Sequence, residues 1–135
     1  MKIIDELTTK ATTKFISKIL TIITGLAVFD AIYFHFIYRG FRKMIHEIQG
    51  FPMVVRLESA LICYLVLTGL LYYFIILPGR PATDAALLGV GTYAVYETTS
   101  YAVLKKWEPQ IVIIDSLWGG ALFYLVTSVV YFVNM

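Results

Sequence analysis

A chain of 135 residues that is 59% apolar and only 15% charged departs from soluble domains, which carry roughly half and a quarter. So short a chain leaves much of its surface uncovered on folding, and the surplus apolar area points to a bilayer as solvent, hence to an integral, multi-pass membrane protein. A net charge of +2, dispersed along the sequence, gives no basis for nucleic-acid binding, and the single cysteine, Cys63, excludes an intrachain disulfide.

In chain order, residues 1–18 carry mixed charges and lack the charged, apolar and small-residue order of a cleavable leader. Ile4, Leu7, Ala11 and Phe15 recur at helical spacing, which predicts a short helix lying on the membrane, with Lys14 and Lys18 snorkelling from nearly the same face. Crossing the hydrocarbon core takes about 20 apolar residues. Four stretches approach this: 19–38, 59–78, 85–104 and 111–133, the third being the least apolar. The expected fold is all-α: one membrane domain over 1–135, built as a four-helix transmembrane bundle with short interfacial helices at the N-terminus and in the first loop.

Between the first two spans, Phe41, Met44, Ile45 and Ile48 form an apolar stripe with Arg42, Lys43 and Glu47 off it, predicting an interfacial helix broken at Gly50 and Pro52. Pro78, Gly79 and Pro81 end the second span, and Thr83 or Asp84 can cap the third. Lys2, Lys10, Lys14, Lys18 and Arg80 fall on one side of the bundle. Arg39, Arg42, Lys43, Arg56, Lys105 and Lys106 fall on the other, so charge sets the orientation only weakly.

Asp30, Glu97 and Asp115 lie inside spans, where an ionisable group costs about 2.5–3.5 kcal/mol and turns to the bundle interior or to water. Counted from the ends on the Arg39 side, all three sit at depths of roughly 6–12 Å and can meet in one layer. Tyr33 stands three residues after Asp30. Tyr93, Ser100 and Tyr101 stand one turn from Glu97, and Trp118 one turn after Asp115, offering donors to the carboxylates. Gly89, Gly91, Gly119 and Gly120 let helices approach. Three carboxyls held close do not all ionise cheaply, which suits proton exchange or cation binding. The competing structural readings give Asp115 as an ordinary helix-start carboxylate, Glu97 as snorkelling toward Lys105 and Lys106, and the whole layer as a hydrogen-bonded helix glue.

His35, His46 and Cys63 do not make a metal-ligand spacing, and no cofactor motif is present, since the GVG at 89–91 lacks the context of a nucleotide fingerprint. The pieces D-A-I-Y at 30–33 with Tyr38 and Phe41, Y-E-T-T-S-Y-A at 96–102 with L-K-K-W at 104–107, and D-S-L-W-G at 115–119 resemble a family of membrane proteins, domain of unknown function 2177. That family's third helix usually has aspartate and asparagine where this chain has Glu97 and Ser100. The resemblance implies a small four-helix membrane protein and no activity.

The sequence thus leads to a proton- or cation-coupled small-molecule transporter with Asp30, Glu97, Asp115, Tyr33, Tyr93, Ser100, Tyr101 and Trp118 at its ligand- or proton-binding site. A lipid-binding or lipid-modifying enzyme and a structural or assembly subunit are the alternatives. Expected partners are the bilayer, a small cation, proton or lipid ligand, and a further copy of the chain in a homo-oligomer.

Overall fold

The computed structural model describes residues 1–134; Met135, the last residue of the expected domain, lies outside them. Among the described residues there are four helices: α1 Lys2–Gln49, α2 Leu57–Leu71 continued by a π-helical turn Tyr72–Ile76, α3 Ala82–Val103 and α4 Pro109–Val133.

The first helix differs from expectation. The N-terminal helix, the first span and the loop helix are one continuous rod of 48 residues, about 72 Å long at 1.5 Å per residue. The charges at Arg39, Arg42 and Lys43 end the apolar run, but charged residues do not break a helix, and no proline occurs before Pro52. Gly50 stops it: at φ 81° it takes the left-handed conformation and its N–H donates to the His46 carbonyl at 2.8 Å. The Gln49 amide then donates to the carbonyls of Phe51 and Pro52, both at 3.0 Å, holding the chain extended into α2.

The stripe Phe41, Met44, Ile45 and Ile48 lies against protein. Met44 is fully buried with Trp107 and Ile111, and Phe41, Ile45, Ile48, Leu104 and Val112 pack around them. The far end of α1 therefore docks on the α3–α4 connection, where Lys106 Nζ donates to the Glu47 carbonyl at 3.3 Å. The other end of α1 projects from the bundle with residues 1–16 all exposed, its last contact being the ring of Phe15 edge-on to Tyr72 of the π turn, 5.2 Å between centroids.

Pro78 explains the π turn. Its ring displaces the Phe74 carbonyl and supplies no N–H, and the wider turn relieves the clash. Leu77 N–H reaches back five residues to Tyr72 and Arg80 N–H five to Ile75, both at 2.8 Å, and Gly79 turns the chain at φ 74°. The Tyr131 hydroxyl of α4 donates to the Arg80 carbonyl and pins this turn to the bundle. Helix α3 starts at Ala82 after Pro81, so neither Thr83 nor Asp84 is its cap; Asp84 sits in the first turn, where the helix dipole favours it.

Packing is uneven around the ring. Helices α3 and α4 meet most closely, α1 lies against α4 and α2, while α3 touches the π turn but scarcely touches α2 itself. Small residues set the α3–α4 approach. A Cβ on Gly119 would lie 2.6 Å from the Gly89 carbonyl oxygen, and one on Gly120 would lie 2.5 Å from Val90 Cγ2. Gly91 is different, with open space where its Cβ would stand, so it has no part in the approach. A core of Ile22, Leu26, Leu67, Leu71, Ile75, Leu122, Phe123, Val126 and Val130 fills the half of the bundle toward the π turn. Among the described residues, three helical stretches are long and apolar enough to cross a membrane: α1, Leu57–Ile76 and α4.

Candidate functional site

Above that core the four helices line a partly open cavity of about 330 Å³, and all three acids face it. Helix α1 contributes Asp30 and Tyr33 with Phe34, Ile37 and Phe41. Helix α2 contributes Cys63 and Leu67, α3 contributes Thr92, Tyr93, Tyr96 and Glu97, and α4 contributes Asp115.

Each carboxyl is held by an aromatic donor from another element. Asp30 accepts from the Tyr64 hydroxyl at 2.6 Å and from the Trp118 indole N–H at 3.0 Å. Asp115 accepts from the Tyr33 hydroxyl at 3.1 Å. Glu97, at 0% exposure, accepts from the Trp107 N–H at 2.8 Å through Oε2. Its other oxygen, Oε1, is buried with no hydrogen-bond partner, and the carboxyl of Asp115 is its polar neighbour. The Tyr33 ring stacks on Trp118, 4.5 Å between centroids and 7° from parallel, which locks the donors to Asp115 and Asp30 against one another. All four donors are uncharged, so the hydrogen bonds orient the acids without balancing their charge.

Of the sequence-predicted residues, Asp30, Tyr33, Tyr93, Glu97 and Asp115 line the cavity and Trp118 supports it from behind. Two stand elsewhere. Ser100 returns its hydroxyl to the Tyr96 carbonyl of its own helix at 2.9 Å, and Tyr101 is 52% exposed on the outer face. Being one turn from Glu97 is not sufficient, because neither hydroxyl reaches its carboxyl, which the Trp107 indole holds instead. Sequence reasoning missed Tyr64, a donor on another helix, and Trp107, which folds back from the α3–α4 connection. The only signal for Trp107 was an indole directly after Lys105 and Lys106, where a polar N–H at the edge of an apolar segment needs a partner.

Two of the structural readings of the acids do not match the geometry. Helix α4 begins at Pro109, a favourable first-turn proline, so Asp115 lies nearly two turns in, beyond the reach of the helix terminus. Glu97 turns inward to Trp107, away from Lys105 and Lys106. Among the described residues, no three His, Cys, Asp or Glu side chains are placed to hold a metal ion together.

A helical bundle whose apolar helices fit a bilayer, with acids gathered inside, is the architecture of an integral membrane protein. The family of predicted membrane proteins DUF2177 matches over residues 15–132, and the chain belongs to it. No curated protein and no solved structure is significantly similar to the chain.

Proposed function

We propose that this protein is a multi-pass membrane protein, crossing the bilayer with all four helices, that couples a proton or cation to movement of a small molecule through the acidic cavity. One observation carries the reading: three carboxyls from three helices face one cavity, oriented by neutral donors alone. In a low-dielectric interior such a set is stable only when a proton or a cation enters among them, and the two compete for the same oxygens. Competition of this kind is the chemical basis of exchange. Helix α3, the least apolar, crosses with Thr92, Tyr93 and Glu97 turned to the cavity.

The test is flux. The full chain in phosphatidylcholine vesicles, with a pH-sensitive dye inside, is expected to dissipate an imposed pH gradient when cations or amines are offered outside. Asp30→Asn and Glu97→Gln lose this while remaining folded. A wild-type rate equal to that of empty vesicles for every cation and amine offered overturns the reading. If Asp30→Asn instead lowers stability and leaves the flux intact, the polar layer serves helix register alone.

A further inference from the structure

Resting on that reading, we infer that the cavity admits an amphiphilic amine, sideways from the bilayer, through the seam between α2 and α3. The ring of packed helices is loosest there: α2 meets α1, α1 meets α4, α4 meets α3, but α3 scarcely touches α2 except through the π turn. Two cavity-lining residues on this seam, Cys63 of α2 and Tyr96 of α3, are also exposed on the outer surface, Tyr96 by 56%. Cys63 stands six residues into α2 and Asp115 six into α4, both about 9 Å from the same end of the bundle. The mouth is therefore at the depth of the acids, within hydrocarbon, and what enters by it arrives dissolved in lipid.

The lining fixes the chemistry of the head. Glu97 is fully buried with Oε1 lacking a donor, and Asp115 and Asp30 complete an anionic wall. An ammonium supplies N–H donors to that wall, and Tyr93, Tyr96, Phe34 and Phe41 offer aromatic faces that attract a cation. The dispersal of the acids, which places no three ligands on one metal ion, suits the larger radius of an organic ammonium. The volume fixes the rest: about 330 Å³ is at the small end for ligand pockets, enough for a head group and its first carbons. A longer tail must leave by the seam, past Cys63.

Cys63, the lone thiol, reads this directly. The full chain in phosphatidylcholine vesicles is alkylated with membrane-permeant N-ethylmaleimide while dodecylamine is titrated in. Alkylation is expected to slow about tenfold at roughly ten times the half-saturating amine content, because it then reports the free fraction. The emission of Trp107 and Trp118, which hold Glu97 and Asp30, should change over the same range. Dodecanol, with the same tail and no charge, gives no protection. Methylamine, with no tail, shifts the emission but leaves the thiol reactive. Asp30→Asn and Glu97→Gln, singly, each weaken the protection, and the double variant abolishes it. Equal protection by dodecanol, protection by methylamine, or full protection in both single variants overturns the inference. Proton flux without amine protection leaves the transport reading standing and removes this substrate class. Amine protection without flux does the reverse.

Discussion

The close approach of α3 and α4 can be tested with two glycines one helical step apart in function. A methyl on Gly89 would lie 2.7 Å from the carbonyl carbon of Gly119 and 3.0 Å from Phe123 Cβ, and it would run into the Gly119 carbonyl oxygen. Ordinary contact begins at 3.4 Å, so clearing the carbonyl oxygen parts the helices by more than about 1 Å, and neither obstacle is a side chain that can rotate away. A gap of 0.5–1 Å forfeits about a quarter to a half of each dispersion contact along the seam. In lipid this packing is the main force holding helices together, since transfer from water contributes nothing further. Overpacking of this kind costs about 3 kcal/mol, offset by about 1 kcal/mol for replacing a helical glycine by alanine. Gly89→Ala should thus destabilise by about 2 kcal/mol. Gly91→Ala meets nothing within 4 Å and should stabilise by about 0.5–1 kcal/mol. The two variants then differ by roughly a hundredfold in the folding equilibrium. Unfolding in mixed micelles by added dodecyl sulfate, followed by circular dichroism, measures both. If Gly89→Ala is as stable as Gly91→Ala, the α3–α4 seam does not approach as closely as described.

Two further outcomes are expected. Trp107→Phe removes the one donor that buried Glu97 has among the described residues and should cost about 1–3 kcal/mol in the same assay. In a Glu97→Gln background the cost should shrink, and a double-mutant cycle with no coupling would show that the indole does not serve the carboxyl. Met44→Ala should cost about 2–5 kcal/mol because Met44 is fully buried against Trp107 and Ile111, whereas Ile4→Ala, on the projecting part of α1, should stay within about 0.5 kcal/mol. Equal effects from the two would refute the docking of α1 on the α3–α4 connection.

The helices and the shared depth of the acids were legible in the sequence because both follow from counting. Apolar runs of about twenty residues mark the helices, and the 1.5 Å rise places Asp30, Glu97 and Asp115 at one level. What counting along one helix does not reach is partnership between helices. It offered Ser100 and Tyr101 to Glu97 by proximity of number, while the donor is Trp107, ten residues on and beyond a turn. Tyr64 was invisible for the same reason, being one of ten tyrosines in the chain and lying on an evenly apolar α2 until the fold brings it to Asp30. The stripe at Phe41, Met44, Ile45 and Ile48 was seen, but periodicity tells only that a face is covered. Protein and headgroup region leave the same pattern, and here the cover is Trp107 and Ile111. The continuity of α1 was hidden by its charges, which mark where the solvent changes and not where the backbone does.

That continuity has a practical use. Residues 2–14 of α1 extend beyond the contact of Phe15 with Tyr72 as about 20 Å of unbroken helix joined rigidly to the core of the bundle. A larger carrier domain ending in a helix, spliced in register onto this rod, would hold a fixed orientation relative to the bundle. A chain of 135 residues, too small to align in electron micrographs by itself, would gain the bulk that imaging requires.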